Sequence, residues 1–249
     1  MRYFIQISFK GTHYHGWQRQ PNANTVQQEI ENCLTKLLKS EISIMGAGRT
    51  DTGVHAKQLF AHFDSDEIID IEHLLFKINN FLPKDIAVKK LFRVKDKAHA
   101  RFDATSRTYM YYVSLAKDPF THELNSMCLK DVDVAAMNNA AQLLIGKHDF
   151  ECFARAHSDV KTFFCDVRKA SWVQKEQMLI FTITADRFLR NMVRAVVGTL
   201  LNVGLGRTSL DQFKAIMASK DRSKAGASAS AAGLFLTQVT YLDEIKDYE

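Results

Sequence analysis

A short glycine-rich segment, Gly46–Ala56, contains the residue types best suited to chemistry. Its sequence is GAGRTDTGVHA, in which Asp51 follows Arg49 by two residues. A nearby positive charge favours an ionised carboxylate, which can act as a nucleophile or as a general base. Glycines permit sharp turns, so the polar side chains between them can be held in fixed directions. The structural alternative is that Asp51 accepts backbone N–H bonds and only stabilises the loop.

The glycine spacing argues against a loop that binds nucleotide phosphates. Gly46 and Gly48 fit a dinucleotide-binding G-x-G-x-x-G fingerprint, but Asp51 occupies the third position, where pyrophosphate must approach closely. No long helix is predicted after the segment, and the Gly-Lys-Ser/Thr ending of a P-loop is missing from the sequence. An unrelated enzyme acting on a free nucleotide therefore stays an alternative that the spacing fits badly.

The histidines and cysteines predict no metal site. The sequence has no His-x-Glu followed by a Cys-x-x-Cys, so a zinc deaminase is not expected from His13, His15 and His55. The four cysteines are widely spaced, which predicts reduced and mostly buried thiols rather than zinc ligands or disulfides. These thiols are Cys33, Cys128, Cys152 and Cys165. We expect neither a metal nor another cofactor.

Strands and helices must position the glycine-rich loop, and their mixed order occurs twice along the chain. In the first half, hydrophobic periodicity predicts strands at 5–9, 59–63 and 86–94 and helices from the capping box Thr25-x-x-Gln28 and over 70–82. In the second half it predicts strands at 106–115, 160–174, 178–185 and 234–242, with helices over 131–145 and 188–203 and after Ser209-x-x-Gln212. This order predicts an α+β protein of two similar layered halves, residues 1–105 and 106–249.

Six blocks of sequence resemble the tRNA pseudouridine synthases that modify the 3′ side of the anticodon stem-loop. The first is Gly48-Arg49-Thr50-Asp51-x-Gly53-Val54-His55, which is similar to the signature of that family. The blocks come in the order of the family and span almost the whole chain. The other five are Tyr14–Gln20, Asn80–Ile86, His99–Tyr111, Phe188–Arg194 and Gly233–Leu236.

The resemblance implies a fold, a reaction and partners. The fold would be the pseudouridine-synthase α+β architecture, with two ferredoxin-like halves whose mainly antiparallel sheets meet at a central cleft. The enzyme would convert uridine to pseudouridine at positions 38, 39 or 40 of tRNA, without a cofactor and as a homodimer. The catalytic carboxylate could attack C1′, add at C6 or take a proton from the sugar, and the sequence does not choose among these routes.

The resemblance also assigns roles to four residues. Asp51 would be the essential catalytic residue, and Arg194 would pair with it and orient it. Tyr109 would stack on the target base and Leu234 would form an apolar wall of the same pocket. The position of Arg49 beside Asp51 suggests that Arg49 contacts the RNA as the base leaves its stack. The ordinary alternatives are a loop-stabilising network for Arg49 and Asp51, a solvated or differently paired arginine for Arg194, a core aromatic for Tyr109 and core packing for Leu234.

The net charge is favourable for a polyanionic partner, and the hydropathy of the sequence predicts no transmembrane helix. The net charge is +5, and the pI is about 8.9; counterion release makes such an excess favourable for binding tRNA. No apolar run has the length of a transmembrane helix and the N-terminus does not read as a signal peptide, so we expect a cytoplasmic protein. A rival is an RNA-binding protein without catalysis, which should lack the set Asp51, Arg194 and Tyr109.

Overall fold

The computed structural model describes residues 1–128, 130–156 and 160–245, which form two compact units. One unit contains Met1–Thr105 together with the described residues from Leu236 onward, and the other is Ser106–Phe235. The functional division predicted from the sequence, with a catalytic loop in residues 1–105 and a completing half in 106–249, stays a prediction.

The first unit is a sheet with two helices. Strands β1 (Arg2–Phe9), β3 (His55–Asp64) and β4 (Ile86–Val94) pair antiparallel, with β1 in the middle, and the short β2 (Met45–Gly46) pairs antiparallel with β3. The C-terminal strand β10 (Leu234–Tyr241) lies next to β3 on its other side. Helices α1 (Val26–Leu38) and α2 (Ile71–Phe81) follow β1 and β3 in the chain.

Apolar alternation explains why this sheet forms. In β1 the residues Ile5, Ile7 and Phe9 are buried, and the helix α1 buries Val26 and Ile30 against the same unit. The predicted capping box is wrong, however. Thr25 is the residue before the helix, but its hydroxyl makes no capping bond and, among the described residues, has no hydrogen-bond partner.

The second unit also combines a mainly antiparallel sheet with helices, but its described residues form three helices where the first unit has two. The strands are β5 (Ala104–Ser114), β6 (Ser126–Met127), β7 (Gly146–Asp149), β8 (Phe164–Lys175) and β9 (Met178–Ala185), and the helices are α3 (Val134–Gln142), α4 (Met192–Gly204) and α5 (Leu210–Ser219). The main sheet has the order β5-β9-β8-β7 with antiparallel pairs, and the short β6 pairs parallel with β5. Helix α4 contacts α3, and both helices bury mainly apolar residues.

The predicted α+β class with mainly antiparallel strands is confirmed, while several bounds differ. Helix α3 begins later than predicted, because the Asp133 side chain caps it by accepting the Ala136 N–H at 2.8 Å. Helix α4 begins at Met192, because Asn191 is left-handed at φ 65°. The capping box of Ser209 and Gln212 is confirmed at α5. No helix within the described ranges is long and apolar enough to cross a membrane.

Candidate active site

Close contacts fix the start of the glycine-rich segment. At its start, the Ala47 N–H donates to the Phe60 carbonyl of β3 at 2.7 Å. A Cβ on Gly46 would lie 2.5 Å from the indole nitrogen of Trp17, which is 2% exposed. The glycine therefore lets the segment pass directly over a buried indole ring, which no larger residue would permit.

Asp51 lies in a tight turn within this segment. The Val54 N–H donates to the Asp51 carbonyl at 3.1 Å, and Gly53, between them, has a positive φ of 77°. The Gly53 N–H donates to the Tyr14 carbonyl at 3.2 Å, which ties the turn to a second segment. The Asp51 side chain is half-buried and Arg49 is exposed. The backbone of the turn is therefore held in place independently of what the carboxylate contacts.

The second segment, residues 11–17, is pressed against the turn. A Cβ on Gly16 would lie 2.3 Å from the Thr50 carbonyl oxygen, and Gly16 has a φ of +87°. The Trp17 N–H donates to that same Thr50 oxygen at 3.3 Å. At the other end of the segment, the Gly11 N–H donates to Nδ1 of the buried His55 at 2.9 Å. The block around Tyr14–Gln20, singled out by resemblance without a role, thus supports the backbone of the Asp51 turn.

Tyr14 connects this segment to a third block of the sequence. Its hydroxyl donates to a carboxylate oxygen of Asp85 at 2.7 Å, and the Asp85 carbonyl accepts the Lys10 N–H at 2.9 Å. Burial, and after it the bond to Asp85, raises the pKa of Tyr14, so the phenol stays protonated and donates at neutral pH.

A buried carboxylate, Glu31, holds the chain that leads into the glycine-rich segment. One of its oxygens accepts the Ile44 N–H at 3.0 Å and the Gln27 amide at 2.9 Å, and the other accepts from Arg19 at 3.3 Å. Glu31 is only 4% exposed, and a buried charge of this kind needs such partners. Glu31 was not predicted as a site residue, although a charge beside Ile30 on the apolar face of α1 was the available signal.

In the second unit, Arg194 is fixed through the backbone. It stands in the first turn of α4, and its Nε donates to the Ala229 carbonyl at 2.7 Å while the Ala229 N–H donates to the Arg194 carbonyl at 3.0 Å. The side chain is half-buried. This pair of bonds fixes the direction in which the guanidinium leaves the helix.

The segment that contains Ala229, residues 225–230, is a strap across α4. A Cβ on Gly198 would lie 1.8 Å from the Ala227 carbonyl oxygen, so the strap contacts the helix backbone directly. The Gly226 N–H donates to the Thr199 hydroxyl at 2.9 Å. Sequence reasoning missed the strap because it acts mainly through backbone groups, which carry no side-chain signature.

The strap also fixes Tyr111 of β5. The Tyr111 hydroxyl donates to the Ser230 carbonyl at 2.8 Å. Burial raises the pKa of Tyr111, although a bond with Ser126 and the positive charge of Arg194 act in the opposite direction. Arg194 and Tyr111 are therefore both anchored on neighbouring residues of one segment.

The remaining two candidates also lie in the second unit. Tyr109 is on β5 opposite Ile183, and its ring is perpendicular to that of Phe188 at a centroid distance of 5.1 Å. It is half-exposed, as a ring that stacks on a base must be. Leu234 is buried at the start of β10, which fits both an apolar pocket wall and ordinary core packing.

The structure therefore places the five predicted site residues in two groups. Asp51 and Arg49 share one loop of the first unit, whereas Arg194, Tyr109 and Leu234 belong to the second. The pairing of Asp51 with Arg194 stays a prediction. Among the described residues, no group of three or more His, Cys, Asp or Glu side chains is arranged to hold a metal ion.

Comparison with known proteins identifies the family. A family model described as tRNA pseudouridine synthase matches residues 5–103 and 140–242. A protein named tRNA pseudouridine synthase A from Parabacteroides distasonis is 52% identical over 245 residues, covering 98% of this chain and 97% of its own. Proteins of the same name from Bacteroides fragilis and Shewanella amazonensis are 48% identical over 246 residues and 39% identical over 249 residues. In these two comparisons the alignment covers 98% and 97% of this chain and 98% and 93% of the relatives.

These matches span both units and include the loop of Asp51 as well as the helix of Arg194. The resemblance inferred from six short blocks is thereby confirmed over nearly the full length. The chain belongs to the tRNA pseudouridine synthase family.

Proposed function

We propose that this tRNA pseudouridine synthase isomerises one or more of the uridines at positions 38, 39 and 40 of the anticodon stem-loop, with Asp51 as its essential catalytic residue. The observation that carries the proposal is the turn at Asp51. It places a half-buried carboxylate on a backbone held by bonds to Tyr14 and Trp17 and by the close approach of Gly16. A preorganised carboxylate is what a reaction without a cofactor needs.

The reaction is an isomerisation at one nucleoside. The N1–C1′ bond of uridine breaks, the uracil turns, and a new bond forms between C5 and C1′. The proton of C5 leaves and N1 gains one, so no electrons are transferred to or from another molecule. A carboxylate can serve this sequence by attacking C1′, by adding at C6 or by removing a sugar proton.

Four further residues have roles in this proposal. Arg194, held by the strap, orients the carboxylate of Asp51, while Tyr109 stacks on the extruded uracil. Leu234 forms an apolar wall for the base. Arg49, exposed beside Asp51, contacts the RNA where the base has left its stack.

The proposal extends to assembly and location. The enzyme acts as a homodimer in the cytoplasm, and one tRNA contacts both subunits. Sedimentation of the purified protein with and without tRNA tests this part, since a monomer that turns over at full rate would contradict it.

The decisive experiment uses tRNA transcripts with tritium at C5 of uracil and no added cofactor. Isomerisation should release tritium to water, and Asp51→Asn should abolish the release while tRNA binding persists. Asp66→Asn, which changes an exposed carboxylate of the same unit, is the matched control and should retain full activity. Transcripts labelled at only one of the three positions then show which uridines react.

Two results would contradict the proposal. If tritium is released only from uridines outside the anticodon stem-loop, the proposed positions 38, 39 and 40 are wrong. An absence of release from every tRNA, with folded protein that binds RNA, would favour the rival binding protein without catalysis.

A further inference from the structure

The turn His99–Asp103 presents a phenylalanine to solvent. Phe102 is 74% exposed, although its ring lies 4.2 Å from the imidazole of His99, centroid to centroid, at an interplanar angle of 36°. The turn belongs to a block that the family resemblance singled out, and none of the catalytic roles proposed above uses it. An exposed single aromatic is common on protein surfaces, so its surroundings must decide what it means.

Hydrogen bonds make this turn rigid. The His99 N–H donates to the Asp103 carboxylate at 2.7 Å, and the Asp103 N–H donates back to the His99 carbonyl at 3.1 Å. Nδ1 of His99 accepts the N–H groups of Arg101 and Phe102 at 3.1 and 3.3 Å. The backbone beneath the Phe102 ring is thereby fixed before any ligand arrives.

A series of rings connects Phe102 to the core of the first unit. Phe4 is buried and stacks on His62 at 6.0 Å, and the rings of His62 and His99 are 4.6 Å apart. His62 also accepts the Ala100 N–H through Nδ1 at 3.1 Å. The exposed ring is thus the outer end of an ordered series, and a molecule that stacks on it immobilises little that was free.

Other exposed phenylalanines lack this support. Phe120 is 93% exposed and Phe76 is also exposed, yet within the described parts of the chain no aromatic ring packs on either. Phe102 therefore differs from them in being held in place rather than in being exposed.

The charges around the turn favour a polyanion. The guanidinium of Arg101 lies 5.8 Å from the centre of the Phe102 ring. Four exposed cations lie within nine residues of sequence, against the two exposed carboxylates of Asp96 and Asp103. These cations are Arg93, Lys95, Lys97 and Arg101. Proteins that bind single-stranded nucleic acid combine the same features, an aromatic ring for a base and cations for phosphates.

We propose that Phe102, supported by His99 and flanked by Arg101, is a stacking platform for an unpaired base of the tRNA substrate. The inference rests on tRNA being the substrate and adds a contact outside the catalytic residues. Stacking on a preformed ring contributes to binding and leaves the chemical step unchanged.

A fluorescent reporter tests the contact directly. Trp17 and Trp172 are 2% and 3% exposed, so a tryptophan introduced by Phe102→Trp supplies the exposed indole. Titration with an unmodified tRNA transcript should quench this emission. Phe76→Trp is the matched control on an unsupported exposed site and should not respond. An unquenched signal at position 102, while the protein binds the transcript, would overturn the proposal.

A second set of variants separates stacking from folding. Phe102→Leu should raise the Kd for tRNA about tenfold, and Phe102→Tyr should restore it, because only an aromatic plane stacks on a base. The kcat at saturating tRNA and the unfolding temperature should stay near those of the parent. Equal Kd values for Phe102→Leu and the parent would contradict the platform, as would a change of oligomeric state without a change of Kd.

The fluorescence quenching and the Kd for tRNA do not depend on turnover. If tRNA binds and quenches the reporter while no tritium is released, the platform stands and the catalytic proposal fails. If tritium is released and the reporter does not respond, the catalytic proposal stands and the platform fails.

Discussion

Two residues two positions apart, Arg49 and Asp51, occupy different environments on one loop. Asp51 is half-buried in a turn with a fixed backbone, whereas Arg49 is exposed. The first environment suits a group that must keep its position through a reaction, and the second suits a group that meets a macromolecule. The same glycine-rich segment can therefore supply both functions.

For Arg49→Ala we expect turnover on folded tRNA to fall by roughly tenfold or more, because extruding a base costs a few kcal/mol that a cation beside the vacated space can offset. The measurement is tritium release under subsaturating tRNA. Since Arg49 is exposed, the unfolding temperature should not change. Unchanged turnover would remove Arg49 from the proposed mechanism.

His62 makes the stability of the first unit depend on pH. Burial, followed by the charges of Arg2 and His99, lowers the pKa of His62 to about 4 from an ordinary value of 6.5. Below pH 6.5 the unfolded chain therefore takes up protons that the folded chain does not. The free energy of unfolding therefore has its full value, as far as His62 is concerned, above pH 6.5, and it falls progressively as the pH is lowered towards 4.

We expect the free energy of unfolding to fall over this range by roughly 3 kcal/mol at most, because one group whose pKa is lowered from 6.5 to about 4 contributes that much by proton linkage. Urea unfolding at pH 7 and at pH 4.5 measures it. His62→Gln should have a smaller difference between the two pH values than the parent. An equal difference in both proteins would show that other groups cause the pH dependence.

At the scale of elements, the segment 11–17 supports the glycine-rich segment through the contact between Gly16 and Thr50. For Gly16→Ala we expect a loss of stability of about 1–3 kcal/mol, because its φ is positive and its new Cβ would meet the Thr50 oxygen. Turnover at a temperature where the variant is folded should also fall, since Thr50 adjoins Asp51. Tritium release and thermal unfolding measure the two effects.

Gly206→Ala is the matched control for this variant. Gly206 also has a positive φ, of +69°, but a Cβ there would meet nothing within 4 Å. It should lose stability and keep full turnover. If Gly16→Ala keeps full turnover as well, the contact with Thr50 does not position the loop that bears Asp51.

Elements whose pattern is local could be predicted from the sequence. The alternation in β1 and the capping box at Ser209 and Gln212 were enough to locate a strand and a helix start. The start of α4 could not be predicted, because Asn191 adopts a left-handed conformation that nothing nearby in the sequence requires. Where a helix begins after such a left-handed residue, tertiary contacts decide the position of its first turn.

The candidate site divides in the same way. Asp51, Arg49 and Arg194 were found because charged side chains in unusual settings, and a family resemblance, are visible in sequence. The strap was not found, and the segment 11–17 was only partly singled out and was given no role, because both hold the site mainly through carbonyl and N–H groups. Every residue has these groups, so only the folded backbone shows which of them matter.

At the scale of the whole molecule, the cysteines report on both units. Burial raises the pKa of Cys33 to about 11 and those of Cys152 and Cys165 to about 12. At neutral pH these thiols are therefore protonated as well as inaccessible, and only Cys128 is partly exposed. The expectation of reduced, mostly buried cysteines agrees with this arrangement.

With iodoacetamide at pH 7.5, we expect Cys128 to be alkylated first and the other three only after unfolding in urea. Mass spectrometry of peptides follows each site separately. Because Cys33 lies in the first unit and Cys152 in the second, the urea dependence of the two shows whether the units unfold together. Alkylation of Cys152 in the native protein would contradict the burial described above.

The position of β10 has a consequence for biosynthesis. The first unit contains Met1–Thr105, yet β10, which lies beside β3 in its sheet, follows the second unit in the sequence. The Thr105 hydroxyl donates to the Thr240 carbonyl of β10 at 3.1 Å. The second unit is one uninterrupted stretch, Ser106–Phe235. A ribosome therefore finishes the second unit while the first still has an open edge at β3, and open strand edges promote aggregation. The sheet of the unit that bears Asp51 gains β10 only after the second unit has been translated, so a chain that stops before β10 leaves the edge of β3 open.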